Sequence, residues 1–401
     1  MVPTSMSKAS LVRRHVRFLT VLLGAAIPFG PLAAQDTTAT VPMEKAPWRT
    51  NYFPYLMGNP TTGLMLVAHL DYFRQADYFD RVPYDGILTL DGALSAQGSR
   101  SLIARLRAPQ LVKGFRFAVD AGGSRESRFG YFGYLPADAA PDDNSDRVHR
   151  GRYFARAEVT RRISGPLSFA AMLGVERTSW SRLPGSTAFG DDFGSGEVTE
   201  TDAGGRVSLV LDTRDREFLV NHGVLAELGL LFGGGGENRE DDPPSTGRYS
   251  GWYGHVRGYV TPRQGTMVAA RLAARELSGF ATLQARNTLP GWEAGVDALG
   301  GPYAHRSFTP GRLAGRGLLL GSVEVRHNLL DVGDYGAVTL VGFVDGGRVF
   351  EGGDFNFTTT DWKVGGGGGV ALRVLRSSLL VFNFAGGPAG FTFSMGTGWA
   401  F

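Results

Sequence analysis

From Asn51 to Phe401 the chain is written in period two. Apolar residues alternate with small or polar ones in short runs, broken by clusters of Gly, Pro, Asn, Asp and Ser. That rhythm sends successive side chains to opposite faces of extended backbone. It predicts strands near 52–58, 62–74, 84–95, 99–108, 113–123, 149–162, 166–180, 200–213, 222–233, 247–261, 265–278, 315–329, 335–349, 361–374, 378–386 and 390–401. Beyond the N-terminal segment no run of 18 apolar residues occurs, which excludes helical membrane spans. A soluble sandwich and a membrane barrel both remain.

The connections choose between them. Long polar segments at 124–148, 181–199, 234–246, 279–314 and 350–360 are each followed by a short turn, such as Ser164-Gly165-Pro166 or Thr261 to Gln264. Outer-membrane barrels have long loops on one side and tight turns on the other, whereas a sandwich has no such requirement. The expected fold is therefore all-β: a transmembrane antiparallel β-barrel of about sixteen strands occupying 51–401, with both chain ends on the short-turn, periplasmic side. Its closing strand is GFTFSMGTGWAF, in which Phe391, Phe393, Met395, Trp399 and Phe401 fall on one face and are expected to meet lipid.

Composition fits this fold. Glycine numbers 58, aromatics make up 11% of residues, and the mean hydropathy of -0.08 is what lipid-facing residues averaged with lumen-facing ones produce. There is no cysteine, and the net charge of +3 gives no reason to expect nucleic acid. Positive charge rests almost wholly on arginine, since the only lysines are Lys8, Lys45, Lys113 and Lys363. Many arginines alternate with apolar residues, and one on the lipid face near the midplane would cost about 2–4 kcal/mol. Arg105, Arg107, Arg156, Arg271, Arg275 and Arg326 are therefore expected to line the lumen. They could be knit into salt bridges there, or leave a basic lumen that attracts anions.

Residues 1–35 read as an export signal: Lys8, Arg13, Arg14 and Arg17 precede a short apolar core, with small residues before Gln35. Residues 36–50 form a polar stub on the periplasmic side, too short to fold alone. Chemistry-bearing motifs are missing. There is no G-x-S-x-G elbow, no H-E-x-x-H and no histidine pair at i,i+4, so neither an enzyme nor a cofactor is expected. Gly365 to Gly369 lie within a predicted strand, and are expected to let a loop or another strand approach the wall closely.

Between Leu299 and Phe350 four motifs follow in order. They are Leu299-Gly300-Gly301, His305-Arg306-Ser307-Phe308, Gly321-Ser322-Val323-Glu324-Val325-Arg326 and Gly342-Phe343-Val344-Asp345-Gly346-Gly347. This order resembles the bacterial surface antigen family, the sixteen-stranded barrels of the BamA/TamA superfamily. In that family a long loop carrying a Val/Ile-Arg-Gly-Phe/Tyr tip folds back into the barrel. His305 and Ser307 depart from the tip pattern, while Arg306 and Phe308 keep it. Phe53-Pro54-Tyr55 and Leu211-Asp212-Thr213-Arg214-Asp215 resemble further family segments.

The resemblance implies a latch. A guanidinium on a loop inside the lumen can fork onto wall carboxylates, and Glu324 and Asp345 both fall on the inward face. Arg306 is expected to pair with them, with Phe308 and Phe343 packing nearby. The resemblance further implies a role in inserting barrels into the outer membrane or moving polypeptide through it, by a weak seam between first and last strands. Such barrels carry POTRA modules, and the stub before residue 50 leaves no room for one, so the expectation is either that a separate periplasmic partner brings substrate or that the protein has given up insertion for another use. The alternatives are a barrel conducting anions or solutes, and a structural or surface-interaction barrel. Expected partners are outer-membrane lipid and the insertion machinery that assembles the barrel itself. That machinery would read the terminal strand with Phe391, Phe393, Trp399 and Phe401, so losing Phe401 is expected to hinder assembly more than it destabilises a finished barrel.

Overall fold

The computed structural model describes residues 45–401 except 78–79, 134–146, 187, 195, 240–242, 293–294, 354, 356–357, 359 and 375–377. The export signal and most of the stub lie outside the described residues. Wall strands β1 (Arg49–Asn59), β2 (Gly63–Gln75), β3 (Tyr84–Ser95), β4 (Arg100–Val112), β5 (Phe115–Gly130), β6 (Arg147–Ser164), β7 (Leu167–Arg182) and β8 (Glu197–Asp212) form the first half. The second half is β9 (Gly223–Arg239), β10 (Ser245–Arg263), β11 (Thr266–Gly279), β14 (Gly317–Asp331), β15 (Gly336–Phe350), β16 (Lys363–Val374), β17 (Ser378–Gly387) and β18 (Gly390–Thr397). The two-residue strands β12 (Thr288–Leu289) and β13 (Val296–Asp297) pair with each other in the β11–β14 connection. All neighbours in the wall are antiparallel, and β1 meets β18 to close a barrel.

Each predicted strand coincides with one wall strand. The differences lie at the ends: β5 runs on to Gly130 and β9 to Arg239, through glycine and charged residues that read as loop. Beyond the apolar band a strand has no lipid to face, so its alternation fades while the backbone ladder continues. The five connections read as long all lie on one rim, together with the tight turns at 60–62, 96–99 and 388–389, while the start of β1 and the end of β18 lie on the other.

Facing follows the period-two pattern. Leu66, Leu94, Leu102, Leu173, Leu228 and Leu230 are exposed on the outer wall, a belt that lipid covers without cost. Arg152 and Arg156 turn inward from β6 onto Glu176 of β7, at 2.6 and 3.2 Å.

β18 departs from expectation. Its ladder stops at Thr397, because Gly398 adopts φ of +93° and redirects the chain. Trp399 and Phe401 consequently enter the lumen and do not face lipid. Phe401 is buried against Val220, Tyr259 and Ala269, with the Arg271 guanidinium 4.5 Å from its ring centroid. Trp399 stacks on Arg326 at 4.0 Å. Period-two counting carried the lipid face past a glycine that breaks the period. Phe391 and Phe393 do remain on the outer face, ringed with Phe384 at 6.3 and 5.1 Å.

Candidate functional site: the lumen loop and the closing seam

The connection 280–316 folds into the barrel. Its tip is shaped by Gly300 and Gly301, at φ of +155° and +90°, which reverse the chain so that Gly301 N–H donates to Phe308 C=O at 2.8 Å. A Cβ on Gly300 would meet the Thr309 carbonyl oxygen at 2.2 Å, so the reversal depends on glycine. Between these arms the segment Tyr303 to Ser307 is pressed against the wall.

Arg306 is the anchor. Its backbone N–H and its Nε each donate to Asp345 Oδ2 at 2.9 Å, and Nη2 donates to Oδ1 at 2.9 Å. Nη1 donates to Glu324, whose other oxygen accepts from Arg326 Nε. All three side chains of the Arg306–Glu324–Asp345 group are almost completely buried. The fork therefore has little water to compete with it, and each carboxylate has a donor aligned to it. Phe343 lies under the guanidinium at 3.6 Å from ring centroid to Cζ, a cation–π contact that only a planar cation fits well. Phe308 lies elsewhere, packed with Leu299, Leu313, Leu318 and Leu320 and edge-on to His305. The two phenylalanines thus belong to separate apolar clusters, Phe343 joining Val341, Ala371, Leu379 and Val381.

The two departures from the tip pattern are accommodated. Ser307 is not among the described non-glycine residues with positive φ, which are Leu219 and Asp361. Its hydroxyl sits against the glycine tract of β16, where a Cβ on Gly365 would lie 2.1 Å from Ser307 Oγ. His305 reaches the Lys363 carbonyl at 2.9 Å and Ser307 Oγ at 3.0 Å. Of the five-glycine run only Gly365 meets the loop tip, with Gly387 of β17 beside it, while Gly366 to Gly369 abut neighbouring wall residues such as Val344, Phe343, Val341 and Asn383.

The lumen arginines are occupied. Arg105 pairs with Asp91, Arg107 with Asp120, Arg156 with Glu176 and Arg326 with Glu324. Arg271 and Arg275 instead hold loop carbonyls. Arg275 donates to Ala285, Thr288, Arg286 and Gly315, while Arg271 donates to Tyr303 at 2.8 Å and Ala304 at 3.0 Å. A buried guanidinium with no carboxylate is tolerable when carbonyls satisfy its donors. Arg271 and Arg275 tie the loop to the wall and the other four pair with wall carboxylates, so each of the six already has a partner that a passing anion would have to displace. Further along, Trp292 donates from its backbone to Glu227 at 2.7 Å and from its indole to Thr160 at 2.9 Å.

Beside the loop tip, the barrel closes thinly. β1 and β18 share a single registered pair, Gly58 with Met395, whereas β1 and β2 are registered from Arg49–Phe73 to Asn59–Gly63. The inward turn at Gly398 removes the residues that would pair with the first half of β1. Sequence reasoning named Arg306, Glu324, Asp345 and Phe343, which lie in contact, and Phe308, which packs in a separate cluster. It missed Tyr303, whose hydroxyl meets Thr397 of β18, and the second role of Arg271, which donates to the Ala400 carbonyl at 3.2 Å. No local pattern marks either residue.

Phe401 also needs a revised expectation. Truncating an aromatic at this depth costs on the order of 3 kcal/mol, and here it would also strip Arg271 of its ring contact. Phe401→Ala should therefore lower the heat-unfolding midpoint of the assembled barrel, read by its gel-mobility shift, as well as slow assembly. An unchanged midpoint would show that the tail contributes nothing once folding is complete.

A closed sixteen-strand barrel with an apolar belt, a loop held in its lumen and a thin closing seam defines a class of integral outer-membrane protein. The Omp85 superfamily domain matches residues 109–399, and the chain belongs to that superfamily. Among solved structures it is similar to BamA from Haemophilus ducreyi lacking POTRA domains 1–3, at 13% identity and a TM-score of 0.52, over 88% of this chain and 70% of that one. It is also similar to CdiB from Escherichia coli, at 14% identity and a TM-score of 0.53, over 88% of this chain and 67% of that one. At these identities the likeness concerns the fold. No curated protein matches.

Proposed function

We propose that this barrel inserts or translocates polypeptide at the β1–β18 seam, as a component of, or accessory to, outer-membrane assembly or polypeptide transport. The observation that carries the reading is the single registered pair at closure. Most of the β1 edge has no ladder partner in β18, and an open edge of this kind adds strands through backbone hydrogen bonds alone. That suits a client recognised by its extended backbone, and it requires no bond-making chemistry. A solute path through the lumen is less well supported, because the loop is bonded to the inner wall and the inward arginines already have partners. The rim carrying the start of β1 and the end of β18 is the periplasmic one on this reading, so a client or a separate periplasmic partner would approach the seam where it is least paired.

Conditional depletion, followed by quantification of the outer-membrane proteome, tests this. Levels of some other barrels or exported polypeptides should fall severalfold while lipid composition stays constant. An unchanged proteome, together with anion-biased conductance of the purified protein in planar bilayers, would replace this function with solute transport.

A further inference from the structure

The last residue of the β18 ladder is not left open where β1 fails to reach it. Gly398 N–H donates to the Leu379 carbonyl at 3.0 Å, which makes Gly398 and Leu379 the hydrogen-bonded pair on the β17 side. Alternation then turns the N–H and C=O of Thr397 away from β17, toward β1. Continuing the Gly58–Met395 register would bring Leu56 opposite Thr397, yet no such pair forms. The phenol of Tyr303 stands there instead. Its hydroxyl donates to Thr397 C=O at 2.9 Å and accepts from Thr397 N–H at 3.1 Å, taking both valences that a neighbouring strand would use.

We propose that Tyr303 is a positioning residue that occupies a strand-pairing site on β18, so that the lumen loop and any strand docking at Thr397 exclude one another. Three features make the phenol fit. A hydroxyl is donor and acceptor at one atom, so one side chain can imitate the N–H and C=O of a missing residue. Gly396 supplies the room, since a Cβ there would lie 2.8 Å from the Tyr303 hydroxyl. The Tyr303 backbone is fixed by Arg271, whose Nη1 donates to its carbonyl and to that of Ala400, tying the loop and the tail beyond β18 to one guanidinium.

The tie continues to the anchor. Tyr303 stands three residues before Arg306, which shares Glu324 with Arg326, and Arg326 Nη2 donates to the Phe401 carbonyl at 3.0 Å. The loop tip and the C-terminal tail are thus two ends of one buried network. A strand that pairs with Thr397 must first lift the phenol, and a loop that leaves the wall bares the edge. This inference rests on the seam being the working site, and it assigns the loop the role of holding that site shut.

Hydrogen exchange on the full chain in lipid nanodiscs tests it. Tyr303→Phe keeps the ring and removes two hydrogen bonds, so exchange at the Thr397 amide should rise about tenfold, with the strands β6 to β10 unchanged. Arg306→Gln, which acts on the loop from a distance, should raise exchange at the same amide. An unchanged rate at Thr397 in Tyr303→Phe overturns the proposal. If the rate rises but depletion leaves the outer-membrane proteome unaltered, the phenol still guards the edge and it is the assembly function that falls.

Discussion

Arg306→Ala should release the lumen loop and cost the barrel on the order of 3–5 kcal/mol. The magnitude follows from what remains behind. Asp345 accepts three hydrogen bonds from this one residue, two of them from the side chain, and is fully buried; Glu324 keeps only Arg326. A buried carboxylate stripped of its donors is the expensive case, far more so than the loss of a surface pair. The guanidinium also leaves the Phe343 face. Unfolding of the purified protein in urea, followed by tryptophan fluorescence, should show a lower midpoint with little change in slope. Limited proteolysis should cut within 280–316 in the variant and not in the parent. Arg306→Lys should recover only part of the loss, since an ammonium cannot span both oxygens of Asp345 and Glu324 together. Arg306→Ala with Asp345→Asn should be less destabilised than the additive sum, because the second change removes the stranded charge. A parental midpoint in Arg306→Ala would mean that the loop is held by its apolar cluster around Phe308 and not by the ion pairs.

The wall was legible because a barrel strand declares itself residue by residue. In β9, Val224, Leu228, Leu230 and Phe232 face out while Glu227 faces in, and a slip of one residue would invert both faces. The anchor was legible for a different reason. Arg306, Glu324 and Asp345 are far apart in sequence, and only the order of motifs shared with a known family suggested that they meet. What escaped was decided by backbone direction and not by residue type. Trp399 and Phe401 continue the aromatic alternation of Phe391 and Phe393 in sequence, but the positive φ at Gly398 turns them into the lumen. Tyr303 belongs to no periodic run, and its role arises from a gap in the ladder that depends on where β1 and β18 stop. The lumen arginines lay between these cases. Their inward direction followed from the lipid cost, but whether they were free or paired depended on cross-strand neighbours such as Asp120 beside Arg107.

Locking the seam should abolish function while leaving the barrel folded. The chain contains no cysteine, so a pair introduced across β1 and β18 has no competitor. Asn59 and Ser394 stand one step from the registered Gly58–Met395 pair on the inward face. They would form a non-hydrogen-bonded position, where opposed Cα atoms approach to about 4.5 Å, within the range a disulfide spans. Asn59→Cys removes the carboxamide oxygen that accepts from the Thr61 and Thr62 amides at 2.8 and 3.0 Å, a cost of about 1 kcal/mol that the single variant measures by itself. In cells depleted of the native protein, each single-cysteine variant should restore the outer-membrane proteome. The double variant, oxidised, should not, and a reductant should restore it within one experiment. The lock acts at the upper end of β1, away from the Tyr303 site, so its effect is on separation of the two strands and not on release of the loop. Reversibility matters because a misfolded barrel would not be rescued by reduction. Full restoration by the cross-linked protein would mean that the two strands need not part, and would move the polypeptide path from the seam to the lumen.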